Sequence, residues 1–110
     1  MKKSYNIQMR DAFIRETYER AKVEKDLIFI TNEQGASSLD IFREKIPNQF
    51  INAGISEQNI ISVASGMAAC SKKVIVYSIA SFITLRCFEQ IKIDLCVMNL
   101  PVTILGVGSS

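Results

Sequence analysis

Histidine and tryptophan are absent from this 110-residue chain, and cysteine (3), proline (2) and glycine (5) are scarce. Without histidine, the side chain that most readily carries protons near neutral pH and ligates metals is missing. Metal binding is therefore a poor reading. Cys70, Cys87 and Cys96 lie far apart with no CxxC pair. Their odd number and apolar neighbours point to reduced, buried thiols and a cytoplasmic protein. An excess of one charge is lacking too: 13 Lys and Arg against 11 Asp and Glu leave a net +2, too little to imply a nucleic-acid partner. No apolar run is long enough to span a bilayer, since Leu95–Gly108 is interrupted by Asn99 and Pro101. Met1–Arg10 lacks the apolar core of a signal peptide. No internal repeat, low-complexity tract or interdomain linker is visible, so the chain reads as one domain without a membrane role.

What is present is a globular composition, 48% hydrophobic and 22% charged, with six phenylalanines and three tyrosines. The pattern alternates. Residues from about Gln8 to Lys25 have an amphipathic period, with Met9, Phe13, Ile14, Tyr18 and Ala21 on one side. Leu27–Thr31 is a continuous run of strand formers suited to burial on both faces. A loop over Asn32–Ser38 precedes a short helix, which Ser37 or Ser38 could cap and Pro47 ends. Gln49–Asn52 reads as a second strand and Ser56–Ser71 as a helix. Gly66 in that helix costs roughly 1 kcal/mol of propensity relative to alanine, which suggests that close packing selected it. Lys73–Ile79 is a third strand, Ala80 to about Asn99 a third long helix, and Pro101–Val107 a last strand. Strands alternating with helices imply an α/β fold, a parallel β-sheet flanked by helices with right-handed crossovers.

The most informative stretch is Phe50–Asn59, FINAGISEQN. Gly54 permits positive φ or close backbone approach, Ser56 is placed to cap a helix, and Glu57 falls in the first turn, where the helix dipole favours an anion. On spacing alone Glu57 is either an ordinary helix-start acid or a functional carboxylate. In such sheets ligands bind beyond the carboxyl ends of strands. That places Glu33 with its loop, Asn52–Glu57, Ile79–Phe82 and Gly106–Gly108 at candidate positions.

FINAGISEQN, the small-residue helix after it, and SIASFITLRCFEQIKIDL together resemble the pyrimidine-binding domain of transketolases, from about Met9 to the end of the chain. These thiamine diphosphate enzymes move two-carbon ketol units between sugar phosphates. The resemblance implies that Glu57 hydrogen-bonds N1′ of the cofactor's aminopyrimidine, so that the 4′-nitrogen can take the C2 proton of the thiazolium. It implies that Phe82 packs against the pyrimidine, the other reading being a core phenylalanine. Ile79 then adds an apolar wall where some relatives have a further aromatic, and Gly54 and Glu33 lie at the cofactor, Glu33 where relatives usually carry aspartate. It further implies that Arg10 and Ser37 bind the sugar phosphate; arginine suits phosphate because its planar fork donates two hydrogen bonds at once. Leu85 replaces a frequent arginine, while Arg86, Glu89 and Gln90 keep the pattern as interface or supporting residues, or as a solvated charged face.

The family's GDG motif for pyrophosphate and Mg²⁺ does not occur here, nor do its catalytic histidines. The resemblance therefore implies half of a site, completed by a pyrophosphate-binding domain or subunit in a homo- or hetero-oligomer. It also implies a partial domain, because relatives continue beyond Ser110. Other readings are a catalytically silent interaction module, a truncated fragment, or the related 1-deoxyxylulose-5-phosphate synthases and 2-oxoacid dehydrogenase β-subunits. GISEQN and TLRCFEQI favour transketolase over the last two. GVGSS at the end hints only weakly at an unrelated nucleotide-binding domain.

Overall fold

Leu27–Thr31 forms strand β1, and all five of its residues are buried. An apolar run without polar alternation cannot leave either face wet, so β1 lies inside the sheet. Strand β2 (Phe50–Asn52) pairs with it on one side and β3 (Lys73–Ile79) on the other, both parallel. Strand β4 (Val102–Val107) continues the sheet beyond β3. The order is β2-β1-β3-β4, with Phe29 opposite both Phe50 and Ile75. The computed structural model describes residues 8–32 and 37–108.

Parallel neighbours require crossovers, and helices supply them. Helix α1 (Met9–Val23) leads into β1. A 3₁₀ turn (Ser37–Leu39) and α2 (Asp40–Lys45) join β1 to β2, and α3 (Glu57–Ala69) joins β2 to β3. Between β3 and β4 run α4 (Ala80–Ile83), α5 (Phe88–Gln90) and a π-helical segment (Ile91–Val97). The path leaves β1 toward β2 in one direction and returns toward β3 and β4 in the other. Crossovers of one hand then place the helices on opposite faces. On one face Ile14, Phe29, Leu39, Phe42 and Tyr77 form a largely aromatic core, with the Phe29 and Phe42 rings 4.8 Å apart. On the other, Ile28, Ile30, Ile60, Ile61, Val74 and Val76 form an aliphatic one. The expected parallel sheet flanked by helices is the one observed.

Several local expectations are corrected. The helix expected from Ala80 to Asn99 is broken at residues 84–87, resumes as the short α5 and continues with π geometry. The Thr84 hydroxyl donates to the Ala80 carbonyl at 2.6 Å, the back-bonding that bends helices. Gly66 is exposed, and a Cβ there would meet nothing within 4 Å, so close packing within this chain does not explain it. Only Cys87 is buried; Cys70, at the end of α3, and Cys96, on the outer side of the π segment, are exposed. Met9 is 88% exposed, and α1 buries Ile14, Thr17 and Ala21 instead. Thr17 can be buried because its hydroxyl donates to the Phe13 carbonyl at 2.8 Å. Gln49 ends a 3₁₀ turn rather than starting β2. Its buried amide nitrogen donates to the carbonyls of Ala21, Glu24 and Leu27, tying the end of α1 to the start of β1.

Candidate functional site

The connections after β1 and β3 leave toward opposite faces, which opens a crevice between the carboxyl ends of these neighbouring strands. The turn from β2 into α3 supplies its floor. Asn52 Oδ1 accepts the Gly54 amide at 3.1 Å, and Gly54 takes φ +73°, a conformation most side chains would strain. Ser56 occupies the N-cap position of α3, but its hydroxyl donates to the Ala53 carbonyl at 3.0 Å and makes no capping bond. The expected cap is thus replaced by a bond that closes the turn. Glu57 opens the helix and is only 4% exposed.

A buried carboxylate needs partners; two segments deliver them and a third braces one of the two. Asn32, just past β1, donates its side-chain amide to Glu57 Oε2. Ser78, in β3, donates its hydroxyl to Asn32 Oδ1 at 2.8 Å. From the break between α4 and α5, Arg86 Nη1 donates to Glu57 Oε1 at 3.2 Å, and the Arg86 side chain is 53% exposed. The Arg86 guanidinium carbon also lies 4.3 Å from the centroid of the Phe82 ring. Gln58 Nε2 donates to the Arg86 carbonyl at 3.0 Å. Glu57 and Arg86 face a cleft of about 310 Å³, with Ile55, Ser56, Gln58 and Asn59 along its rim. Beside them the Cys87 thiol is pushed up from its ordinary pKa, by burial first and by the Glu57 charge second, with Arg86 pulling the other way. Ile79 ends β3 half-buried, opposite Val107. Gly106 matters nearby: a Cβ there would meet Ala80 at 3.0 Å, so glycine lets β4 pass the start of α4.

Arg10 and Ser37 belong to a second cluster at the same end of the sheet, on the aromatic face. Arg10 binds Asp11 through Nε at 2.9 Å and Nη2 at 3.4 Å, and Asp11 in turn accepts the Ser38 hydroxyl at 2.8 Å. Tyr77 is a further electrostatic neighbour of Arg10, and burial raises its phenol pKa. The hydrogen bond from Arg10 holds the Asp11 carboxyl below its usual value, with Ser38 contributing. Ser37 is exposed on a cleft of about 530 Å³ that Asp11, Arg15, Tyr18 and Ser38 also line. Ser37 lines that cleft with Asp11, and Asp11 is the carboxylate that already engages Arg10. Glu33 lies outside the described residues.

The structure adds Asn32 and Ser78, which sequence reasoning missed. Their only signal was a polar residue at the end of an otherwise apolar strand. Among the described residues, no group of His, Cys, Asp or Glu is placed to hold a metal ion, and no helix is long and apolar enough to cross a membrane.

A doubly wound parallel sheet with a buried, hydrogen-bonded carboxylate at a helix start in its switch-point crevice defines an α/β ligand-binding domain. The family follows from comparison: the chain belongs to the transketolase pyrimidine binding domain family, whose model matches residues 5–110. It is 36% identical over 103 residues to an apulose-4-phosphate transketolase subunit of Phocaeicola vulgatus, covering 93% of this chain and 33% of that protein. It is 32% identical over 103 residues to 1-deoxy-D-xylulose-5-phosphate synthase of Lachnoclostridium phytofermentans, covering 93% of this chain and 16% of that one. A solved structure titled "Split gene transketolase, inactive beta4 tetramer" superposes with a TM-score of 0.80 at 28% identity, over 88% of this chain and 32% of that chain. The chain thus spans a third or less of the length of these relatives.

Proposed function

We propose that this chain supplies the pyrimidine-binding half of a thiamine diphosphate site, in a cytoplasmic, oligomeric transketolase that moves two-carbon ketol units between sugar phosphates. The observation that carries the reading is Glu57, a carboxylate 4% exposed at the head of α3 that lines the cleft and is bonded through Oε1 to Arg86, whose guanidinium lies over Phe82. A carboxyl edge near an aromatic face offers a flat nitrogen heterocycle a hydrogen-bonding partner and a stacking surface, so the residues fit the pyrimidine. When bound, the cofactor supplies the nucleophilic carbon that carries the ketol unit. Glu57 would hold or share a proton at the ring nitrogen. Asn32, braced by Ser78, would fix the orientation of the carboxyl group through Oε2. Phe82 would lie against the ring, with Ile79 and the Gly54 turn closing the apolar side and Glu33 near the cleft. Arg10 and Ser37 would meet the sugar phosphate, which requires an anion to displace Asp11 from Arg10.

No GDG motif occurs in the sequence, so the pyrophosphate and its Mg²⁺ are assigned to a pyrophosphate-binding partner domain or subunit. Transketolase is preferred to synthase chemistry because GISEQN and TLRCFEQI follow its pattern. The test is to add purified chain to a separate pyrophosphate-domain subunit and measure ketol transfer. Activity that needs both components supports the proposal. A complex without activity makes the chain a silent interaction module, and turnover by the chain alone contradicts the half-site assignment.

A further inference from the structure

Arg86 makes both of the contacts that a ligand ring would make. Its guanidinium donates to Glu57 Oε1 at 3.2 Å, and its central carbon lies over the Phe82 ring, 4.3 Å from the centroid. A guanidinium, like an aminopyrimidine, is a planar group with N–H donors on its edge and π density on its faces. Phe82 is itself half-buried. A second ring cannot occupy the space over Phe82 that the Arg86 guanidinium fills.

The backbone around Arg86 is pinned while its side chain is not. Gln58 Nε2 holds the Arg86 carbonyl at 3.0 Å, and the Cys87 thiol donates to the Phe82 carbonyl at 3.3 Å. The backbone amide of Cys87 donates to Thr84 O at 3.1 Å. The side chain, 53% exposed, can leave through rotamer changes alone. We propose that Arg86 is an internal occupant of the planar site between Glu57 and Phe82, so that a ring enters only as the guanidinium swings out. The identity of that ring rests on the function proposed above; the occupancy by Arg86 does not. Such competition lowers apparent affinity by the fraction of chains in which the site is open.

The test uses the full chain, wild type against Arg86→Ala, with two probes followed by calorimetry: ethylguanidinium and 4-amino-5-aminomethyl-2-methylpyrimidine. With a weak ion pair and cation–π contact expected of a half-exposed arginine, Arg86→Ala should bind the aminopyrimidine roughly 3- to 30-fold more tightly. It should also take up ethylguanidinium more tightly than wild type does. Adding Phe82→Leu should erase both gains. Arg86→Lys, which keeps the charge without the planar face, should fall between, and it carries the test if Arg86→Ala does not fold. If the folded variants take up neither probe better than wild type, or if the aminopyrimidine binds more weakly without Arg86, the proposal is overturned. A gain for ethylguanidinium with no aminopyrimidine binding by any variant upholds the occupied site and instead overturns the pyrimidine assignment.

Discussion

Two arginine–carboxylate pairs stand at the carboxyl end of the sheet, and they are built differently. Arg10 and Asp11 are sequence neighbours on one helix, with side chains 35% and 32% exposed. Arg86 and Glu57 are 29 residues apart, come from different elements, and are 53% and 4% exposed. In the first pair both charges remain partly hydrated, and either could be lost with little consequence for the fold. In the second the carboxylate has left water and depends on Asn32 and Arg86, while the arginine keeps one side in solvent. That asymmetry is what the proposed exchange of Arg86 for a ligand uses: one partner is held by the fold and the other is half in solvent.

The largest effect expected from this contrast is catalytic. In a complex reconstituted with a pyrophosphate-domain subunit, Glu57→Gln should lower ketol transfer by ~10²–10⁴-fold, the usual range for a lost proton relay. Asp11→Asn should leave the chemical step near wild type. Equal losses in both variants would remove the distinction between the pairs.

A smaller effect separates the pairs by stability. Asn32→Ala strips a buried carboxylate of a donor and leaves the Ser78 hydroxyl without its acceptor, so urea unfolding should show a loss of about 2–3 kcal/mol. Ser38→Ala, which removes a bond to the half-exposed Asp11, should cost no more than about 1 kcal/mol. A Ser38 effect as large as that of Asn32 would show that the Arg10 cluster is as tightly built as the Glu57 cluster.

How far these features were legible follows from what makes each of them. Strands β1 and β3 were readable because uninterrupted apolar runs have few other places to go. The turn at Gly54 was readable because positive φ narrows the choice of residue. The position of Glu57 after that turn left it either a helix-start acid or a functional carboxylate, and the family resemblance favoured the second. Asn32 and Ser78 did not stand out, because a single polar residue at a strand end looks like ordinary boundary composition. Arg86 could not be placed, since its reach to Glu57 depends on a helix break at Thr84 that no glycine or proline announces. Gln49 was misread as strand because its role lies in contacts with residues 22 to 28 positions earlier in the chain.

The smallest expected effect concerns pH. Asp11 titrates below its ordinary value of 3.8 because Arg10 and Ser38 bind its charged form. Between the lowered and the ordinary value the folded state binds fewer protons than the unfolded state, so stability rises with pH there. The contribution is therefore present above 3.8 and disappears as the pH falls through the lowered value. Comparing urea midpoints of wild type and Asp11→Asn across acid pH should show a small gap closing in that window. A gap that persists below it would mean that Asp11 acts by packing, not by charge.

The central claim is that the Glu57 carboxyl group handles a proton on a bound ring. It is tested most directly by exchange of the C2 proton of thiamine diphosphate bound to the reconstituted complex, followed by quench and NMR, with circular dichroism as the folding control. The account predicts fast exchange in wild type and in Asp11→Asn, and exchange slowed by ~10²-fold or more in Glu57→Gln with the fold retained. Wild-type exchange in the Glu57→Gln complex would contradict it and return Glu57 to the role of a buried helix-start acid.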